Sequence, residues 1–243
     1  MSLSPRAFLC ALALTLCGQE AHAQSWRLPA LPNVQPPAAQ SSPVSRTQRF
    51  GGACQDCDLS NRALPGVRID QGDFSRARFV RAFLVRMDGA GSIFEDADFS
   101  LANMTSAKLM DARCDRARFS GTVMTGLDAS RAQLAVADFA NAEMPDATFV
   151  QARLPGASFA GAKAMHANFL RADLRGATMS YARLDGADFT QADLRGVTFA
   201  GATLSGANLS QALHLTAAQL RGACGDRATR LPPGLHVPSC TKG

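Results

Sequence analysis

Ring systems able to stack on a base or a sugar are nearly absent from these 243 residues, which hold one Trp and one Tyr. Basic blocks are missing as well: the net charge of +5 is dispersed and is carried by Arg far more than by Lys. Nucleic-acid binding needs clustered cations and aromatic platforms, so no nucleic-acid partner is expected. The sequence has no G-x-S-x-G, no phosphate-binding Gly loop and no H-E-x-x-H, which removes the common signatures of acyl transfer, phosphoryl transfer and zinc hydrolysis. His166, His214 and His236 are the only histidines after residue 23, and aspartates such as Asp98, Asp138, Asp173, Asp188 and Asp193 recur with a sequence repeat rather than as a pair. Turnover, a cofactor and a metal are therefore not expected.

Long apolar runs are also lacking. The longest, "AFLCALALTLC" from Ala7 to Cys17, falls short of the about 20 residues that span a bilayer. Arg6 before it and "AHA" (Ala21 to Ala23) after it complete the three regions of a secretory signal peptide. The expected consequence is cleavage after Ala23, a mature chain in the periplasm or outside the cell, and no transmembrane anchor in that chain. Residues 24–49 carry five prolines and no apolar period, the composition of a flexible linker.

What is present is a period of five. Of the 31 positions reached by stepping five from Leu59 to Leu209, 27 are Leu, Ile, Phe or Met. Two residues earlier in each repeat, from Ala97 to Ala212, 21 of 24 positions are Ala. Helices repeat at 3.6 residues and strands at 2, so neither fits. A large and a small apolar residue per repeat suit the inner wall of a narrow, fully packed solenoid. The second residue after each large one is Gly at 11 of the 31 repeats, and "LPG" at 64–66 and 154–156 places Pro and Gly where a type II turn wants them. Each repeat is thus one side and one corner. Four corners close a square, residue n stacks on n+20, and 57–214 make about eight coils rising about 4.8 Å each.

The units "ADFTQ", "ADLRG" and "ANLSQ" resemble the pentapeptide-repeat family over about two thirds of the chain. The resemblance implies an all-β fold, a right-handed quadrilateral parallel β-helix. Some members it resembles are DNA mimics that bind type II topoisomerases and confer quinolone resistance; such a mimic needs an acidic stripe in the cytoplasm, and neither is offered here.

Two departures from the period are informative. Leu127 stands at a small place and Ala129 at the adjoining large one, a swap that conserves interior volume. Gly89 has no such compensation, so "VRMDGAGS" (85–92) is expected to loosen a corner or bulge.

Solenoid ends must be covered. Cys54 and Cys57 lie at the first coil, Cys224 and Cys240 beyond the last. In an exported chain these read as two local disulfides. A shared zinc site would need ends of a rod to meet, and a thioredoxin-type role for Cys54 and Cys57 has the spacing without a βαβ context. Cys114 replaces a large inner residue and is a buried thiol. "LTAAQLRGACGD" (215–226), with Thr216 as N-cap and Gly222 as stop, predicts a short helical cap. The domain order expected is signal peptide 1–23, linker 24–49, β-helix 50–214, and cap and tail 215–243.

Outward positions sort into four faces. One carries Arg113, Asp115, Arg116, Arg153, Asp173, Arg175, Asp193 and Arg195, a mixed-sign ladder. Another, in its C-terminal half, carries Ser158, Thr178, Ser180, Tyr181 and Thr198 with Ala and Gly between them, and no charge. An uncharged, small-residue wall is a candidate docking face. The function expected is a non-catalytic exported rod that is structural or binds a protein partner, itself unidentified, with homodimerisation compatible; a topoisomerase-binding mimic is the alternative.

Overall fold

The computed structural model describes residues 52–240. The predicted signal peptide and linker, residues 1–49, lie outside the described residues. From Asp58 to Asp193, every fifth residue forms a parallel bridge with the residue twenty positions on, beginning with Asp58 to Arg78 and ending with Asp193 to Leu213. The period of five is therefore one side of a four-sided coil, and the chain is a parallel β-helix.

The hydrogen-bond accounting explains the repeat residue by residue. Phe79 N–H donates to Asp98 O at 2.7 Å, and Asp98 N–H returns the bond to Ala77 O at 2.9 Å. At the corner, Ala82 N–H closes the turn on Phe79 O at 3.0 Å, and Arg81 N–H donates to Ser100 O in the next coil at 3.0 Å. One N–H per repeat is left over, that of the residue directly after the large one. Asp or Asn two positions earlier accepts it: Asp98 Oδ1 from Ser100 N at 2.9 Å, Asn168 Oδ1 from Leu170 N at 2.9 Å, Asp188 Oδ1 from Thr190 N at 2.9 Å. These are Asx-type local bonds. Pro65, Pro145 and Pro155 occupy that same place and have no N–H to satisfy; the residues two before them are Ala63, Glu143 and Arg153, none of them Asp or Asn. The recurring aspartates are thus corner acceptors.

Every corner from Asn61 to Gly206 holds its third residue at positive φ, near 56–72°, and nineteen of these residues are not glycine. Left-handed backbone costs an L-residue about 1–2 kcal/mol. The ladder bond made by that same residue's N–H offsets the cost, as at Leu101 (to Ser120 O, 3.0 Å) and Tyr181 (to Ala200 O, 2.8 Å). Corner glycines have a further reason. Leu101 lies over Gly121, Asn141 over Gly161 and Tyr181 over Gly201, where an added Cβ would come within 2.8, 2.5 and 2.5 Å of the overlying side chain.

Inside, the large residues stack in columns. Phe79, Phe99, Phe119, Phe139 and Phe159 form a continuous pile with centroids 4.7–5.1 Å apart and planes within 10°. Phe149, Phe169 and Phe189 form a second, with centroids 5.2 and 5.0 Å apart. Two polar residues take the small inner place, and each is satisfied: Ser92 Oγ donates to Ile69 O and Thr122 Oγ1 to Phe99 O. Leu127 and Ala129 are both buried, so the swap is accommodated inside.

The expected loosening at 85–92 does not occur. Gly89 N–H donates to Lys108 O at 2.9 Å, Gly91 takes the ordinary corner φ of 67°, and the bridges Asp88 to Lys108 and Ile93 to Arg113 keep phase. The Phe94 ring stands 3.0 Å from where a Gly89 Cβ would be, so a neighbouring large side chain fills the missing volume. The expected helical cap is also replaced. Residues 217–222 are turns, closed by Gln219 N to Thr216 O at 3.2 Å and Arg221 N to Ala218 O at 3.3 Å. The start signal is real, since Gln219 Oε1 accepts from Thr216 N at 2.8 Å, the reciprocal half of a capping box. Gly222 stops the segment within two turns, too few residues for a helix to repay its nucleation, and Gln219 Nε2 is drawn down to the Leu194 and Val197 carbonyls.

Candidate functional site

Among the described residues, four of the five cysteines form two local pairs. Cys54 is bonded to Cys57, and Cys224 to Cys240. Cys114 is a free thiol, wholly buried, and burial pushes its pKa far up, with the Asp115 charge adding to the effect. Among the described residues no group of three or more His, Cys, Asp or Glu is placed to hold a metal ion.

Stacking at twenty residues turns the exterior into columns, and these sharpen what a face-by-face reading of the sequence shows. One column runs Asp58, Arg78, Asp98, Arg118, Asp138, Ser158, Thr178, Thr198. Its sign alternates for five coils and then charge ceases. A second runs Arg68, Asp88, Lys108, Asp128, Thr148, Asn168, Asp188, Asn208, alternating over its first four members. Ser158, Thr178 and Thr198 are thus brought into one line, each bridged to the next. Ser180 and Tyr181 are on the adjoining corner rather than in that line. Tyr181, held at φ 59° with its ring across Gly201, is 75% exposed.

The same corner column carries Leu101, 53% exposed, four coils' worth of sequence before Tyr181. Leu101, Val136 and Phe83 are exposed apolar residues that a reading by repeat position passes over. The signal was available: Leu101, Asn141 and Tyr181 alternate at intervals of twenty with Gly121, Gly161 and Gly201.

Most members of the mixed-sign ladder are hydrogen-bonded. Arg116 forks onto Asp96 at 2.8 Å through both Nε and Nη2, and Arg175 onto Asp173 at 2.8 and 2.7 Å. Asp193 accepts His214 Nδ1 at 2.9 Å, and Asp115 Oδ1 accepts Ala135 N–H at 2.8 Å. The guanidinium hydrogen bonds hold Asp96 and Asp173 below the ordinary carboxylate range. Similar forks join Asp56 to Arg76 and Asp111 to Arg131 across adjacent coils. Paired in this way, the carboxylates are tied down as surface struts.

Compared with known proteins, the chain matches the family description "Pentapeptide repeats", in eight copies, over residues 73–109, 112–149, 132–169, 142–180, 172–211 and 187–224. No curated protein matches it. Among solved structures it is similar to QnrB1, a plasmid-mediated fluoroquinolone resistance protein, at 21% identity over 74% of this chain and 93% of that one, with a TM-score of 0.46. It is similar to HetL, a pentapeptide repeat protein involved in heterocyst differentiation regulation from Nostoc sp. strain PCC 7120, at 24% identity over 79% and 94% of the two chains, with a TM-score of 0.38. A pentapeptide repeat protein of the Arabidopsis thaliana thylakoid lumen is 31% identical over 45% of this chain and 82% of its own, with a TM-score of 0.26.

Proposed function

The chain belongs to the pentapeptide-repeat family, whose fold is a right-handed quadrilateral β-helix, and from that premise we propose that it is an exported, non-catalytic stack of about eight coils that binds a protein partner in the cell envelope. The observation that carries the binding half is the change along one column: alternating charge from Asp58 to Asp138, then Ser158, Thr178 and Thr198 with Tyr181 beside them. Uncharged, hydroxyl-bearing β-surface next to an exposed aromatic loses little desolvation energy on contact, and Tyr is favoured at the centre of interfaces. The export half rests on the Arg6, Ala7–Cys17 and Ala21–Ala23 pattern and on two cysteine pairs at bonding distance, which suit an oxidising compartment.

A topoisomerase-binding DNA mimic is the second reading. It needs one sign of charge along a column, whereas two columns here alternate in sign and the other two mix Asp or Glu with Arg or Lys. A single experiment separates the two: the mature N-terminus is read by mass spectrometry from fractionated cells, and protein tagged at its C-terminus is used to capture partners from envelope and cytosol, alongside T178D/T198D. Gln24 as first residue, with an envelope partner lost in the variant, is the expected result. Intact Met1 in the cytosol with a topoisomerase captured would replace this reading by the mimic.

A further inference from the structure

Among the described residues, the first coil ends in a ladder edge on which no backbone group is paired. In later coils the middle residue of each side exchanges two bonds with the coil before: Arg78 N–H donates to Cys57 O at 2.8 Å while Leu59 N–H donates to Arg78 O at 2.7 Å, and Phe83 does the same with Arg62 and Leu64 at 2.8 Å each. Asp58, Ala63 and Arg68 are the corresponding residues of the first coil, and among the described residues their N–H and C=O groups have no backbone partner. The interior is open at the same end. Leu59 and Leu64 are only partly buried, whereas inner residues from Phe79 to Leu209 are about fully covered. Cys54, Leu59, Leu64, Val67, Ile69 and Phe74 line an apolar hollow there. The other end is closed by 213–240, so copies cannot stack head to tail.

We propose that two copies of this chain pair end to end through their first coils, about a two-fold axis crossing the Ala63 side. Such an axis turns the second coil over, so facing sides run antiparallel. Ala63 then meets the partner's Ala63, and the two flanking sides exchange places, setting Asp58 against the partner's Arg68 and Arg68 against the partner's Asp58. In an antiparallel ladder, directly opposed residues of the hydrogen-bonded kind exchange both N–H···O bonds, which is what these outward-pointing groups need. The charges on the two swapped sides are opposite, so the edge complements itself. An isologous contact of this kind uses up this end of each copy and stops at two. The chain's own residues 24–49 are the competing cover, and their five prolines remove five ladder donors. The inference does not depend on export or on the Ser158–Thr198 column.

Sedimentation velocity on the full-length chain, from sub-micromolar to about 100 µM, tests it, with circular dichroism confirming that each variant keeps its fold. Wild-type protein is expected to sediment with twice the chain mass. R68D and D58R each set like charges face to face in two symmetry-related places, and each should weaken the dimer about tenfold or more. The double variant D58R/R68D restores opposite charges and should return to within about threefold of wild type. Ala63→Pro, which removes a donor that has no partner among the described residues, should also dissociate the dimer. A wild-type monomer throughout, a dimer indifferent to both single reversals, or a double variant no better than the singles would overturn the proposal.

Discussion

The two ends of this β-helix are finished in different ways. At the C-terminal end the chain leaves the repeat and keeps pairing with it: Thr203 bridges to Cys224 and Asn208 to Arg230, steps of 21 and 22 instead of 20. Thr229 Oγ1 donates to Leu204 O at 2.8 Å, and Leu220 and Ala223, each 2% exposed, close the interior. Cys224–Cys240 pins the segment that does this. At the N-terminal end Cys54 N–H makes one ladder bond, to Asp73 O at 2.7 Å, and Cys54 and Cys57 are bonded over a three-residue step. A solenoid terminated by irregular chain is a closed edge, and one terminated by its own repeat remains a template. The contrast teaches that the ordered ladder and the closure of its ends are separate requirements, and only the first is written in the repeat.

The largest effects should come from the interior between the ends. Phe139 stacks between Phe119 and Phe159 in the longest pile, and Phe139→Ala should cost about 3–5 kcal/mol. Leu59→Ala, at the same inner place in the first coil but only partly buried, should cost about 1 kcal/mol of an exposed site's smaller loss. Urea denaturation measures both, and equal losses would show that the first coil is as well covered as the fifth.

The second contrast is between the caps themselves. Leu220→Ala should destabilise by about 2–4 kcal/mol, since the side chain is buried against the last coil. Replacing Cys224 and Cys240 by Ala releases a loop of 17 residues and should cost about 3 kcal/mol in the chain-entropy model, against about 2 kcal/mol for Cys54 and Cys57. Amide exchange located along the chain would sharpen this: loss of the C-terminal bridge should speed exchange in the last coil and leave the first unchanged.

Much of this architecture is legible from one sequence because the interior repeats every five residues. Leu59 to Leu209 and the alanines two places before them assign the inward side chains without any knowledge of stacking. The outside is another matter, because its rules have a period of twenty. That Gly201 exists to seat Tyr181, and that Ser158, Thr178 and Thr198 continue a column opened by Asp58 and Arg78, appears only when n is set on n+20. The corner aspartates were visible as a recurrence, but their task follows from counting which N–H the ladder leaves unbonded. The cap misled for a local reason. Thr216 and Gln219 form the start signal of a helix, and the carbonyls of Leu194 and Val197 then hold Gln219 in a shorter turn.

The Leu127/Ala129 pair probes the interior rule at a place where it is inverted. Leu127→Ala should leave a cavity and Ala129→Leu should overpack, each costing roughly 1–4 kcal/mol. Both sites are buried in the same coil, so the double change should recover much of the loss, a coupling that independent sites would not give. Simple additivity in a urea double-mutant cycle would mean that the two do not share one volume.

The smallest expected effect separates corners joined by ion pairs, in the N-terminal half, from the glycine corners of the C-terminal half. Asp96–Arg116 and Asp111–Arg131 tie one coil to the next at corners, whereas the corners at 176, 196 and 206 are glycines. In both carboxylates the guanidinium hydrogen bond is the main cause of a pKa below the ordinary value of 3.8, with partial burial opposing it. A carboxylate whose folded pKa is depressed contributes stability above its unfolded pKa and loses it as pH falls through the folded value. D96N/D111N should therefore be slightly less stable than wild type at pH 7. The gap should narrow as pH falls below about 4 and close once pH is below the depressed folded values, where wild-type Asp96 and Asp111 are protonated and no longer differ in charge from Asn. Both pairs are about half exposed, so the gap at pH 7 should also shrink in 1 M salt, where the screening length is about 3 Å. A gap that persists unchanged below those values would show that the two aspartates act through local packing and that the coils of the N-terminal half are not joined electrostatically.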